Sequence, residues 1–215
     1  MAHSNFLVGA DRIPQQTNLD LPMNALGRRL ANVVAILFCE PPASPSLLLV
    51  CGGDRSRELE AVRAAREYAG IREVVVSSGE ASRSELKAAI DPGLSLVWDR
   101  RACDTLSNFT VLASEWQFDR GNVRSVVIAT SDYHRRRAAA VGAIVLASAR
   151  VQVHAALGLP STTSSAAARG ESALRTARDV VRAVLWVLTG WDGRGVALRT
   201  HPSRRLGIGE LEKLA

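Results

Sequence analysis

Lysine is almost missing from this chain. Only Lys87 and Lys213 occur, and arginine supplies the rest of a net charge of +6 and a pI near 10.0. No RRM, zinc-finger or similar motif accompanies that charge, so a solvated basic surface is expected rather than a nucleic-acid interface. Cysteine is scarce and scattered: Cys39, Cys51 and Cys103 form no CxxC pair. That excludes a disulfide framework and a thiolate metal site, and points to small buried thiols in a reducing compartment, the cytoplasm. The four histidines are equally dispersed, so no metal is indicated. Long apolar runs are lacking too. Ala31–Cys39 and Val180–Leu188 are nine residues each, and the second contains Arg182. A spanning helix needs ~20 residues; both runs are expected to be helices packed on a core, with no membrane span. Arg28 and Arg29 precede the first run as in a signal peptide, but some thirty residues in and with a Pro-rich segment after it.

What is present is the grammar of an α/β domain. With 215 residues and 47% apolar content, the chain can bury one sizeable core. Five β-branched-rich runs recur: LLLVC from Leu47, EVVVS from Glu73, LSLVW from Leu94, SVVIAT from Ser125 and RVQVHAAL from Arg150. The first four are each followed by turn residues and a helical pattern, covering 56–70, 82–90, 104–121 and 134–148. Ser82 and Glu85 have capping-box spacing, and Gly70 and Gly121 sit at expected helix ends. Continuous apolar strands alternating with helices predict a Rossmann-like, doubly wound, mainly parallel five-stranded sheet with helices on both faces. The expected domain is 26–192. It includes a late helix, about 171–190, whose apolar stripe of Leu174, Ala177, Val181, Val184, Leu185 and Leu188 is expected to face the core. A Ser/Thr/Ala-rich loop precedes that helix. Segments 1–25 and 193–215 are poorly patterned and expected to be loosely ordered.

In open α/β sheets, ligands bind beyond the carboxyl ends of the strands. The four ends read GGDRSRE (52–58), SSGE (77–80), DRRACDTLSN (99–108) and TSDYHRRR (130–137). The candidate catalytic residues are His134, Asp54 and Asp104. The candidate ligand-binding residues are Gly52, Gly53, Arg57, Ser78, Gly79, Glu80, Thr105, Asn108, Ser131 and Arg137. Each has a structural reading beside the functional one. The glycines suit a tight turn, and the full GxGxxG fingerprint is absent. Ser56, Ser82 and Asp104 suit N-caps. His134 suits a helix start. Arg135, Arg136 and Arg137 lie where the helix dipole opposes cations. Successive helical residues diverge by about 100°, so one is expected to face the crevice and favour an anion there while the others are solvated.

The order GGD-SRE, VSSG, D-x-x-A-x-DT-x-x-N and TSDYH-x-x-RA resembles the YdcF-like family, which includes SanA and ElyC. The details GGDRSRE, TLSNFT, IVLAS and RAVLWVLTG resemble its cyanobacterial-type subgroup. The similarity runs from about Leu47 to Leu157. It implies a Rossmann-like fold and a polar pocket built from Gly52, Gly53, Asp54, Ser78, Gly79, Asp104, Thr105, Asn108, Ser131, His134 and Arg137. It implies no defined reaction, since the family's chemistry is largely unassigned. Some members are similar to envelope-biogenesis factors acting on lipid-carrier metabolism, and one branch binds S-adenosylmethionine. Many relatives have glycine where this chain has Glu80 and glutamate where it has Asp99. Envelope-type relatives carry an N-terminal membrane anchor, which this sequence does not show.

Two functions stay open at this stage. The first is a hydrolase or transferase acting on a phosphorylated or nucleotide-linked small molecule, envelope precursors among them. Arg137, the helix N-terminus and the amides near Gly52 and Gly53 would hold the anion. His134 would be general acid or base. Asp54, Asp104 or Glu80 would orient it or bind a metal-bridged phosphate. Ser78 and Ser131 would donate hydrogen bonds; neither lies in GxSxG, so no nucleophile elbow is expected. The second is a non-catalytic domain binding a nucleotide-like ligand such as S-adenosylmethionine.

Overall fold

The structure, a computed structural model, describes residues 23–38, 40, 44–115, 124–160 and 172–192. The elements in chain order are α1 (Met23–Phe38), β1 (Leu47–Cys51), α2 (Arg55–Ala64), β2 (Glu73–Ser77), α3 (Arg83–Ala89), β3 (Ser95–Asp99), α4 (Thr105–Glu115), β4 (Arg124–Ser131), α5 (Arg135–Ala147), β5 (Val151–Leu159) and α6 (Ala173–Thr189). The strands form one sheet in the order β3-β2-β1-β4-β5, and every neighbouring pair is parallel. This is a doubly wound, Rossmann-like α/β fold. Residues 1–22, Gly121, the Ser/Thr/Ala-rich loop from 161 and the tail fall outside the described residues, and the last three residues of the expected loose segment 1–25 are instead the first turn of α1.

Strands buried on both faces explain the unbroken apolar runs. All five residues of β1 are buried. Their alternate side chains feed two separate cores. Leu48 and Val50 pack with Val74, Val76, Val127 and the inner faces of α2 and α3. Leu47, Leu49 and Cys51 pack on the other side with Leu106 and Phe109 of α4, Val141 and Val145 of α5, and Ala183 and Trp186 of α6. The chain first builds outward from β1 to β3. It then crosses to the opposite face through α4 and resumes at β4, on the other flank of β1. The winding therefore reverses between β1 and β4, the topological switch point where a ligand crevice is expected.

Three local expectations are corrected. Helix α2 does not run to Gly70; it tightens into a 3₁₀ turn at 65–67, and Gly70 adopts φ +100° to lead the chain into β2. Asp54, not Ser56, is the N-cap of α2, with its Oδ1 accepting from the Arg57 amide at 3.2 Å. The largest correction concerns α6. Leu174, Ala177, Val181, Val184, Leu185 and Leu188 are all exposed, Leu174 by 79%. The inner face is instead Asp179, Ala183, Trp186 and Val187. Apolar periodicity defines a face but not the direction in which it points.

Candidate functional site

The end of β1 is built on close backbone contact. The Gly52 amide donates to the Ser77 carbonyl at 2.8 Å. A Cβ at Gly52 would overlap the Ser78 carbonyl and lie 2.7 Å from the Gly79 amide nitrogen, so no larger residue fits there without moving the backbone. The two loops are then joined by a side chain that sequence reasoning did not single out. Glu58 is fully buried. Its Oε1 accepts from the amides of Gly53 at 2.9 Å, Asp54 at 3.3 Å and Glu80 at 3.0 Å, and its Oε2 from that of Ala81 at 2.8 Å. The signal was present: Glu58 shares a helical face with the buried Ala61, Val62 and Ala65. The consequence corrects one expectation. The amides of Gly52 and Gly53 are not open to an external anion, because Ser77 and Glu58 already take them.

Arg57 lies across the same strand end. It is only 4% exposed. Its Nη2 donates to the carbonyls of Cys51 at 3.2 Å and Gly52 at 2.9 Å, while its Nε has no hydrogen-bond partner. No carboxylate forms an ion pair with it among the described residues. Beneath it, burial pushes the Cys51 thiol up to about 12, against the opposing pull of Arg57 and a hydrogen bond with Asn108. Cys51 is therefore a neutral thiol at physiological pH and no nucleophile.

The ends of β2 and β3 meet the start of α4. The Ser77 hydroxyl donates to Asn108 Oδ1 at 2.9 Å, which ties α4 to both β2 and β1. Ser78 takes the left-handed conformation, φ +57°, and its hydroxyl donates to the Ala102 carbonyl. Gly79 abuts Glu58, and Glu80 points to solvent. Asp99 is engaged by Arg101, with Nη2 at 2.5 Å. Asp104 caps α4, whose first residue is the half-buried Thr105. Asp104 Oδ1 accepts from the Ser107 amide at 2.8 Å, and its Oδ2 from Arg182 Nη2 at 2.9 Å. Burial opposes ionisation of Asp104, but the Ser107 amide and the Arg182 cation outweigh it and hold the carboxyl below its ordinary value. The contribution this adds at neutral pH is lost in acid as Asp104 is protonated.

At the end of β4, Ser131 is fully buried and its hydroxyl has no hydrogen-bond partner. Residues 132–134 form a 3₁₀ turn that leads into α5. Arg135 and Arg136 are exposed, whereas Arg137 is buried. Arg137 Nη1 lies 3.4 Å from Asp179 Oδ2 on α6, and Arg137 Nη2 lies 2.7 Å from His134 Nδ1. A guanidinium has no acceptor, so His134 Nδ1 accepts and the ring proton sits on Nε2. Arg137 thus fixes the orientation of the His134 ring, the general acid or base expected from sequence. Asp179 continues to Arg182, which reaches Asp104. A run of charged contacts thus links His134 to Asp104 through Arg137, Asp179 and Arg182. Among the described residues, no three His, Cys, Asp or Glu side chains gather to hold a metal ion.

No family model, curated protein or solved structure matches this chain.

Proposed function

We propose that this is a YdcF-like cytoplasmic protein that binds an anionic, phosphate-bearing small molecule at the β1/β4 switch point, and that it acts on that ligand by hydrolysis or group transfer. The observation that carries the anionic ligand is Arg57. A buried guanidinium with no paired carboxylate is costly unless something supplies the counter-charge, and the switch point is where the fold admits a ligand. His134 supports the same end: it lies at the end of β4 with its ring held by Arg137, Nδ1 standing 2.7 Å from Nη2. The amides of Gly52, Gly53 and Asp54 play no part, since Ser77 and Glu58 occupy them.

The test is calorimetry with inorganic phosphate, pyrophosphate and nucleotides, followed by a search for products. Arg57→Met is expected to weaken phosphate-ester binding about 10- to 100-fold, the range of one charge-assisted contact. Its melting temperature without ligand should not fall, because an apolar side chain of similar length removes an uncompensated charge. Equal affinity in Arg57→Met and the unmodified protein would remove the basis of this reading. His134→Ala is expected to abolish turnover while leaving the fold intact; full turnover in that variant would end its role.

A second reading, binding without turnover, is favoured by one specific observation. Asp54 is used as a helix cap, Asp104 by Ser107 and Arg182, and His134 Nδ1 by Arg137. The exposed Glu80, just past β2, is then a carboxylate available to ribose hydroxyls, as a ligand such as S-adenosylmethionine would need. Saturable binding of S-adenosylmethionine with no product from any phosphate ester selects this reading.

A further inference from the structure

At the switch point two buried polar atoms have no hydrogen-bond partner among the described residues: Arg57 Nε and Ser131 Oγ. The fold brings them to one place. Val50 and Ala129 are paired in register on β1 and β4, and Gly52 and Ser131 each stand two positions further along. On β4, Val127 and Ala129 face the core shared with α2, and strand alternation puts Ser131 on that same side. Arg57 comes from α2, which packs against β4, and its Nη2 donates to the Gly52 carbonyl at 2.9 Å. Beside them Gly52 is half-buried and Gly53 exposed, so the turn opens to solvent. A buried donor without an acceptor is unfavourable in the free protein, and a ligand oxygen relieves it.

Given Arg57 as the anion site of the proposed function, we propose that the bound group carries a single negative charge, as a phosphodiester does, and that a phosphate monoester, with two, is disfavoured. Charge counting decides this. Of the two buried arginines among the described residues, Arg137 is matched by Asp179 at 3.4 Å, which leaves Arg57. Arg182 is shared between Asp179 and Asp104. Arg135 and Arg136 are exposed, where water and salt screen them. Arg57 therefore matches one negative charge. A second would meet Glu58, a fully buried carboxylate that ends on four amides rather than on a cation. Gly53 touches both residues. Its amide donates to Glu58 Oε1 at 2.9 Å, and Arg57 Nη2 lies 4.0 Å from where its Cβ would stand. A like charge next to a buried carboxylate is repelled where water screens little. Ser131 obeys the same rule, because a hydroxyl donates a hydrogen bond without adding charge.

The experiment is calorimetry of the full chain with nitrophenyl phosphate, its methyl ester and nitrophenyl sulfate, at about pH 8, where a phosphate monoester (second pKa ~6) is doubly charged. The methyl ester and the sulfate carry one charge each. Both are expected to bind about tenfold or more tighter than the monoester. Cyclic AMP against AMP, and glycerophosphoglycerol against glycerol phosphate, repeat the comparison for a nucleotide and for a lipid head group, and the tighter diester names the source. In Glu58→Gln, which keeps one accepting oxygen, the preference for a single charge should shrink to about twofold or less. Ser131→Ala should weaken the three nitrophenyl probes alike, by about tenfold, and raise the melting temperature of the free protein, since an unpaired buried hydroxyl is gone. A monoester that binds the unmodified protein as tightly as its methyl ester and the sulfate overturns the single-charge rule and leaves Arg57 as an anion site. A preference that persists in Glu58→Gln overturns it too; if that variant is too unstable to titrate, the ratios in the unmodified protein decide. Unchanged affinities in Ser131→Ala overturn the part given to Ser131. Probes that all fail to bind, or that bind Arg57→Met equally well, overturn the anion site and the charge rule together.

Discussion

Glu58→Ala is expected to destabilise the protein by about 4–6 kcal/mol, read as a large fall in the midpoint of a urea unfolding curve. Four amide donors end on this one carboxylate. A buried donor left without an acceptor costs ~1–3 kcal/mol. Water entering the vacated space recovers part of that, which sets the estimate below the sum of four full penalties. The loss is a large share of a domain's total of about 5–15 kcal/mol. Glu58→Gln is expected to fall between the two, at about 2–3 kcal/mol, since one oxygen still accepts while the new NH₂ group faces amide donors. An alanine variant that unfolds within about 1 kcal/mol of the unmodified protein would show that the loops do not depend on Glu58.

The reason for so large an effect is positional. Gly52 brings β1 into backbone contact with the turn after β2, where no Cβ can enter. The amides of both turns are left facing inward, and Glu58 reaches them from the first turn of α2. In many folds of this topology the N-terminus of the first helix receives a phosphate. Here an internal carboxylate fills that place. In the proposed function, anion binding therefore rests on Arg57 and the β4 end.

What could be read from sequence, and what could not, follows from the range of each interaction. β1 and β2 were readable as LLLVC and EVVVS because burial on both faces writes itself into consecutive residues. The capping box of Ser82 and Glu85 was readable because both partners lie within four positions, and the Ser82 amide indeed donates to Glu85 Oε2 at 2.9 Å. The place of Arg57 after a glycine turn is readable from sequence, but not its burial without a paired carboxylate, which depends on every element around it. Glu58 looked like one more charge in an arginine- and glutamate-rich helix; only its shared face with Ala61 and Val62 hinted at burial. On α6 the apolar stripe was correctly located on the helix and wrongly aimed. The charged residue Asp179 faces inward there because Arg137, more than forty positions earlier, needs it. No local pattern encodes such a pairing.

Asp179→Ala is expected to cost about 3–5 kcal/mol, the usual loss when one partner of a buried ion pair is deleted. Asp179 is 2% exposed and Arg137 is 7% exposed, so neither charge is well hydrated. The substitution removes the carboxylate that faces Arg137 Nη1 and weakens the hold on Arg182, which keeps Asp104. It also has a local readout. The guanidinium that fixes the Nε2–H form of His134 loses its anchor on α6, so the ¹⁵N shifts of the His134 ring should move toward a mixture of tautomers. The double variant Asp179→Leu, Arg137→Met separates charge from packing. Removing both charges together is expected to recover most of the lost stability, because well-packed apolar residues replace a buried ion pair at little cost. The His134 signal should stay altered in that variant even though the fold is restored. Stability recovered together with an unchanged His134 tautomer would mean that Arg137 holds the fold but does not set the state of the histidine.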